Sequence, residues 1–285
     1  MLLKHSLSIT ITNVQLVFKV LIYAFIVFFI GSAVLVTIVD PIMGAIGDGF
    51  NFVEFMNRFI NNLTEGDGAV FQSIINSVNR FAEEKPQELA KILGLGTVVF
   101  VGMKYFFALI VCPLAYVLSH KMTTHFTEGF FHAVVSVGFK GVGMASLYTL
   151  ISAPIDILII VGCFFLGRAL TVVGIFGMIF AIVVGLLLVT LRLSIMGQWL
   201  AVFIIEKINF GLQFKRGFRA GIKSLSYTYP ALLTLVLVEF GIVMTTLVPT
   251  FLIIPIVSVP FAIVMFVAVH LVNYYRANES NYYFE

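Results

Sequence analysis

Six apolar stretches, at 14–39, 96–119, 141–166, 169–191, 227–248 and 251–275, each supply the roughly 20 helical residues needed to cross a ~30 Å hydrocarbon layer. Stretches of that length, recurring along the whole chain, leave few folds open. Backbone polar groups in lipid must be satisfied inside each segment, so the spans are predicted to be helices and the fold class all-α, a polytopic membrane protein of about six transmembrane helices. Composition agrees: 60% of the 285 residues are hydrophobic and 11% charged, against about a quarter charged in soluble domains. The mean hydropathy is +1.08, more apolar surface than a soluble core can hide. The first run is too long for a signal-peptide core and is read as the first span. Cys112 and Cys163 both lie in apolar segments and read as small core side chains rather than a disulfide or a nucleophile.

Charge orients the spans. Lys4, Lys19, Lys121, Lys140, Arg192, the cluster 207–223 and Arg276 fall at the N-terminus, in the second and fourth connections, or after the last span. The first connection, 40–95, carries eight acids and four bases. By the positive-inside rule both termini are predicted to be cytoplasmic in a plasma membrane, with 40–95 outside. Within 40–95, apolar residues from Phe52 to Ile60 and from Phe71 to Val78 recur at three- and four-residue spacing and break at Glu65-Gly66-Asp67-Gly68. They predict two short amphipathic helices in an extracytoplasmic insertion.

The chain also repeats itself. Phe126-Thr127-Glu128-Gly129-Phe130 matches Phe214-Lys215-Arg216-Gly217-Phe218, and at the same offset Ala133 meets Gly221, Ser136 meets Ser224 and Leu147 meets Leu235. Each copy reads as a cytoplasmic interfacial helix, 121–139 or 208–224, leading into a helical hairpin. The N-terminus follows the same plan, with Lys4 to Asn13 as the interfacial piece. One membrane domain, 1–285, built from such units is predicted.

An F-x-x-G-F surface helix leading into a hairpin resembles a broad group of bacterial six-helix membrane proteins, including the membrane domain attached to some glycerophosphodiester phosphodiesterases. The likeness covers mainly 121–276. It implies this architecture and a bacterial plasma membrane; the catalytic barrel of those enzymes has no room here, and no catalytic residue carries over.

Three groups of residues invite chemistry. Lys104, Asp156 and Glu239 sit inside apolar runs, where a charge costs about 2.5–3.5 kcal/mol on insertion scales and is expected to be paired or functional. Counted from the outer ends of their helices, they lie about 12–15 Å deep at 1.5 Å per residue. They read either as a structural Lys–carboxylate network or as a polar intramembrane cluster for an ion, a proton or a head group. Pro154 would free a carbonyl near Asp156. His125, Glu128 and His132, spaced i, i+3, i+7, would share one helix face and offer two imidazoles and a carboxylate to zinc, or else form the polar face of an interfacial helix with Phe126, Phe130 and Val134 toward lipid. Lys207, Lys215, Arg216, Arg219 and Lys223 alternate with Phe210, Leu212, Phe214, Phe218 and Ile222, a pattern suited to anionic-lipid contact at the inner headgroup layer.

No Walker loop, G-x-S-x-G, H-E-x-x-H, haem, iron–sulfur or dinucleotide motif is present. The leading expectation is a non-enzymatic membrane subunit or lipid-interacting factor of an envelope or transport assembly. It would need no cofactor, have membrane lipids and other membrane subunits as partners, and bind no nucleic acid. A small transporter using Lys104, Asp156 and Glu239, and an intramembrane enzyme acting on lipid, are the rivals.

Overall fold

The computed structural model describes residues 2–27, 86–126, 128–170, 173–206, 210–246 and 253–278, with residues 29, 33 and 83 besides. No strand occurs among them. Helices α1 (Leu2–Thr12), α2 (Val14–Val27), α3 (Pro86–Thr124), α4 (Phe130–Ala169), α5 (Ile175–Met196), α6 (Gln198–Ile205), α7 (Phe210–Lys223), α8 (Leu225–Thr246) and α9 (Ile253–Ala277) follow in order. Among the described residues five spans are long and apolar enough to cross a membrane, or six if α1 and α2 count as one bent pair. Large apolar side chains such as Leu150, Leu158 and Phe176 stay more than two-thirds exposed on the spans, as lipid-facing surface should. The chain is a multi-pass, all-α membrane protein.

Where the sequence predicts one domain, contacts divide the chain into two compact units: Met1–Val27, Lys104–Ser152 and Leu186–Glu285 form one, Phe28–Met103 and Ala153–Gly185 the other. The boundaries fall inside α3, α4 and α5 rather than in linkers, so no shift in composition marks them. Most of the insertion 40–95 lies outside the described residues, but its last ten positions are helical. They open α3 with Pro86, whose fixed φ suits the first helical position.

The larger of two apolar clusters in the first unit is drawn from Val17 and Val20 of α2, Leu114 and Leu118 of α3, Ala133 of α4, Trp199 of α6 and Val267 and Leu271 of α9, and the smaller from Ala231 and Leu232 of α8 and Val269 of α9. In this unit a short helix, a break and a further helix follow one another three times. Between α1 and α2 the axis turns by 77° at Asn13, whose Nδ2 donates to the Ile9 carbonyl at 2.7 Å. In α4 the break is Gly138, with φ +40 inside the helix, a left-handed backbone that suits glycine. Between α7 and α8 it is Ser224, whose N–H still bonds the Ala220 carbonyl at 2.9 Å.

The 121–139 helix requires correction. α3 runs on to Thr124 and ends at His125, which takes φ 62 while its N–H reaches the Lys121 carbonyl at 3.1 Å, a left-handed C-terminal cap. The short helix then begins at Phe130 and ends at Gly138. The break is made at His125, and Gly129, with open space where a side chain would stand, adds a residue that favours helix about 1 kcal/mol less than alanine. The 208–224 helix is α7, found at Phe210–Lys223.

Candidate functional site

α7 is positioned by a ridge without side chains. A Cβ on Gly217 would fall 2.6 Å from Cδ1 of Trp199, and one on Gly221 would fall on the Ile195 backbone carbonyl. The two glycines, four residues apart, share a helix face, so the backbone of α7 lies directly on α5 and α6. Phe214 completes the seat, with its ring centroid 4.1 Å from that of Trp199. That inward face leaves Lys215, Arg216, Arg219 and Lys223 exposed, together with Leu212, Phe218 and Ile222. Lys207 lies outside the described residues. The sequence treats every aromatic and aliphatic residue here as one stripe; instead Phe214 turns to the protein while Leu212, Phe218 and Ile222 remain outside.

A carboxylate ties this helix to the last span. Glu206 follows α6, and its Oε1 accepts the Tyr274 hydroxyl at 2.7 Å while its Oε2 meets Arg216 Nη1 at 2.9 Å. The Glu206 carbonyl also accepts Gln213 Nε2 at 2.9 Å. Charge-assisted bonds of this kind are stronger than neutral ones. At the same end of the unit, Ser119 shares a proton with Tyr275 at 2.7 Å and Lys121 Nζ donates to Asn13 Oδ1 at 2.7 Å. A polar layer therefore links the ends of α3 and α9, the α1–α2 break and the α6–α7 turn. Sequence reasoning passed over Glu206; its signal was a lone acid beside a basic run.

The three intramembrane ionisable residues are placed as follows. Lys104 Nζ stands 6.0 Å from the centroid of the Tyr148 ring, whose hydroxyl accepts Arg192 Nη1 at 2.6 Å, so one tyrosine meets two cations, one of them at cation–π range. Glu239 accepts a hydrogen bond from the Ser258 hydroxyl at 2.7 Å, within the α8–α9 hairpin. Asp156 belongs to the second unit and is buried.

For His125, Glu128 and His132 a shared helix face is corrected: His125 and Glu128 lie outside the helices, α3 ending at Thr124 and α4 beginning at Phe130. Glu128 Oε1 lies 3.6 Å from His120 Nε2 instead. Among the described residues no three His, Cys, Asp or Glu are grouped to hold a metal ion. Phe130 also departs from its expected lipid-facing position. It is 9% exposed in the apolar cluster, and Phe131 and Val135 point outward instead.

No sequence signal singled out Gln198 and His270, both fully buried in the first unit. The imidazole of His270 occupies the place where a Cβ of Gly197 would stand, and it meets the Phe266 ring edge-on at 4.6 Å. Neither residue finds a side-chain hydrogen bond among the described residues. No family model matches the chain, and no curated protein and no solved structure matches it.

Proposed function

We propose that the chain is a non-enzymatic, lipid-interacting factor of the plasma membrane that grips the anionic inner leaflet through α7. One observation carries this reading: α7 is seated by bare backbone on the bundle, so its four cations and three apolar side chains are held outward together rather than folded into a core. Basic side chains at a headgroup layer add about 1 kcal/mol each toward anionic lipid, and exposed Phe218 and Ile222 can enter the acyl boundary beside them. Such a surface suits a subunit of an envelope or transport assembly that must stay flush with the membrane. Replacing Lys215, Arg216, Arg219 and Lys223 by Gln should strip most co-purifying anionic lipid while the fold persists. Arg216 should contribute least of the four, because Glu206 already holds it. Undiminished association of the quadruple variant with liposomes of defined anionic fraction at physiological salt would refute the reading.

The same reading sets both termini on the cytoplasmic side, with the Glu206 layer facing inward. A cysteine at Asn278, an exposed position after α9, should resist a membrane-impermeant thiol reagent in intact cells and react once the cells are opened. Labelling from outside would reverse the orientation.

A further inference from the structure

On the flank of α7 away from Phe218 lies a cleft of about 890 Å³ within the first unit, walled by α1, α7, α8 and α9 and the start of α6. Its two ends differ in chemistry. Its exposed lining residues include Lys223 and Arg276, with Ser226 and Asn278. Along α8 the wall then passes through Tyr227, Pro230, Ala231 and Thr234, residues spaced so that they share one helix face. Leu2 and Leu3 of α1 close the opposite side. From Ser224 to Thr234 the wall runs about 15 Å at 1.5 Å per residue, the reach of a head group and the upper part of an acyl chain.

The charge balance in the cleft favours an anion. Glu206, the one carboxylate among the described residues that line it, is already taken by Tyr274 and Arg216. Lys223 has no ion-pair partner among the described residues and is exposed. Deeper in the wall is Gln198, 0% exposed, with neither Nε2 nor Oε1 hydrogen-bonded. Buried side-chain amides are nearly always satisfied in folded proteins, so an unsatisfied one bordering a cleft marks a place where a polar ligand group is met. The volume falls within the range of small-molecule sites, which combine apolar walls with a few polar anchors.

From these features we infer that the cleft holds one phosphate-bearing amphiphile, its phosphate at Lys223, its polar linker toward Gln198 and its chain along Pro230, Ala231 and Thr234. The inference rests on the lipid-directed reading of the chain but concerns a stoichiometric site rather than the leaflet surface, and the two fail separately.

The test uses the full chain in an uncharged detergent, titrated with dihexanoyl phosphatidylglycerol, with native mass spectrometry for stoichiometry and calorimetry for affinity. One molecule per chain should bind saturably. Lys223→Gln should weaken it about fivefold, the share of one base at a head group. Thr234→Phe, which fills the apolar end, should abolish it while melting with the wild type. Lys215→Gln with Arg219→Gln, on the outer face of α7, should leave this affinity unchanged even as liposome association falls. Inorganic phosphate should neither bind appreciably nor displace the lipid. Wild-type affinity in both Lys223→Gln and Thr234→Phe would overturn the site and leave the leaflet reading standing. Equal affinity for inorganic phosphate would also overturn it, assigning the cleft to a free anion. Loss of liposome association in Lys215→Gln with Arg219→Gln, with cleft binding intact, upholds both proposals.

Discussion

Alanine at Gly221 is expected to lift α7 from the bundle. The added methyl would meet the Ile195 carbonyl, and a backbone atom within a span cannot swing aside as a flexible side chain can. Overpacking of this kind typically costs about 1–3 kcal/mol. Here the strain has a local exit, because α7 is held by one face and two neighbouring turns. Trp199 reports the outcome: it is the only tryptophan in the chain, 3% exposed beneath Phe214. In Gly221→Ala its emission should shift to the red and become open to acrylamide. Gly211→Ala in the same helix is the control, since nothing lies within 4 Å of its Cβ position and alanine favours helix by about 1 kcal/mol. A Trp199 equally shielded in both variants would show that the glycine ridge does not seat α7.

Gly197→Ala should destabilise the whole first unit rather than one helix. Its methyl would occupy the imidazole of His270, which is fully buried and confined by Phe266, so neither partner can yield without opening the packing of α6 against α9. A loss of about 1–3 kcal/mol is expected. Shrinking the ring should relieve it. His270→Ala alone leaves a cavity, and in the double variant the two defects fill each other, so the combined loss should fall short of the sum by more than about 0.5 kcal/mol. Thermal unfolding of the four proteins in one detergent measures this. Simple additivity would mean that the two residues do not bear on each other.

The spans were legible because crossing a membrane imposes length and apolarity together, and both are written locally. The start of α3 was not, because Lys91, Glu88 and Gln87 count against a span but not against a helix. The repeated F-x-x-G-F motif shows the limit more sharply. Its pattern announced two surface helices, and both copies do lead through a short helix and a break into a span. Yet Gly129 stands in open space outside its helix while Gly217 is pressed on Trp199, and Phe130 is buried where Phe218 is exposed. A glycine states only that a side chain is missing; what takes the space is decided by a partner far away in the chain. Glu206, Gln198 and His270 escaped notice for a related reason. A single polar residue near the end of an apolar run reads as a boundary until the tertiary fold supplies Tyr274, the cleft or Gly197.

Helix α1 lies against α9 and touches α8. The face it turns inward, Ser6, Ile9 and Thr10, carries small residues four apart that let helices approach closely in lipid. Its contact surface is therefore made before the surface it fits, with α2 to α8 translated in between. Ser6 and Thr10 bond to their own turns, at 3.0 and 2.8 Å, so the packing of this face depends on the arrival of α9. A chain interrupted before α9 would therefore leave the Ser6, Ile9 and Thr10 face of α1 without the helix that covers most of it.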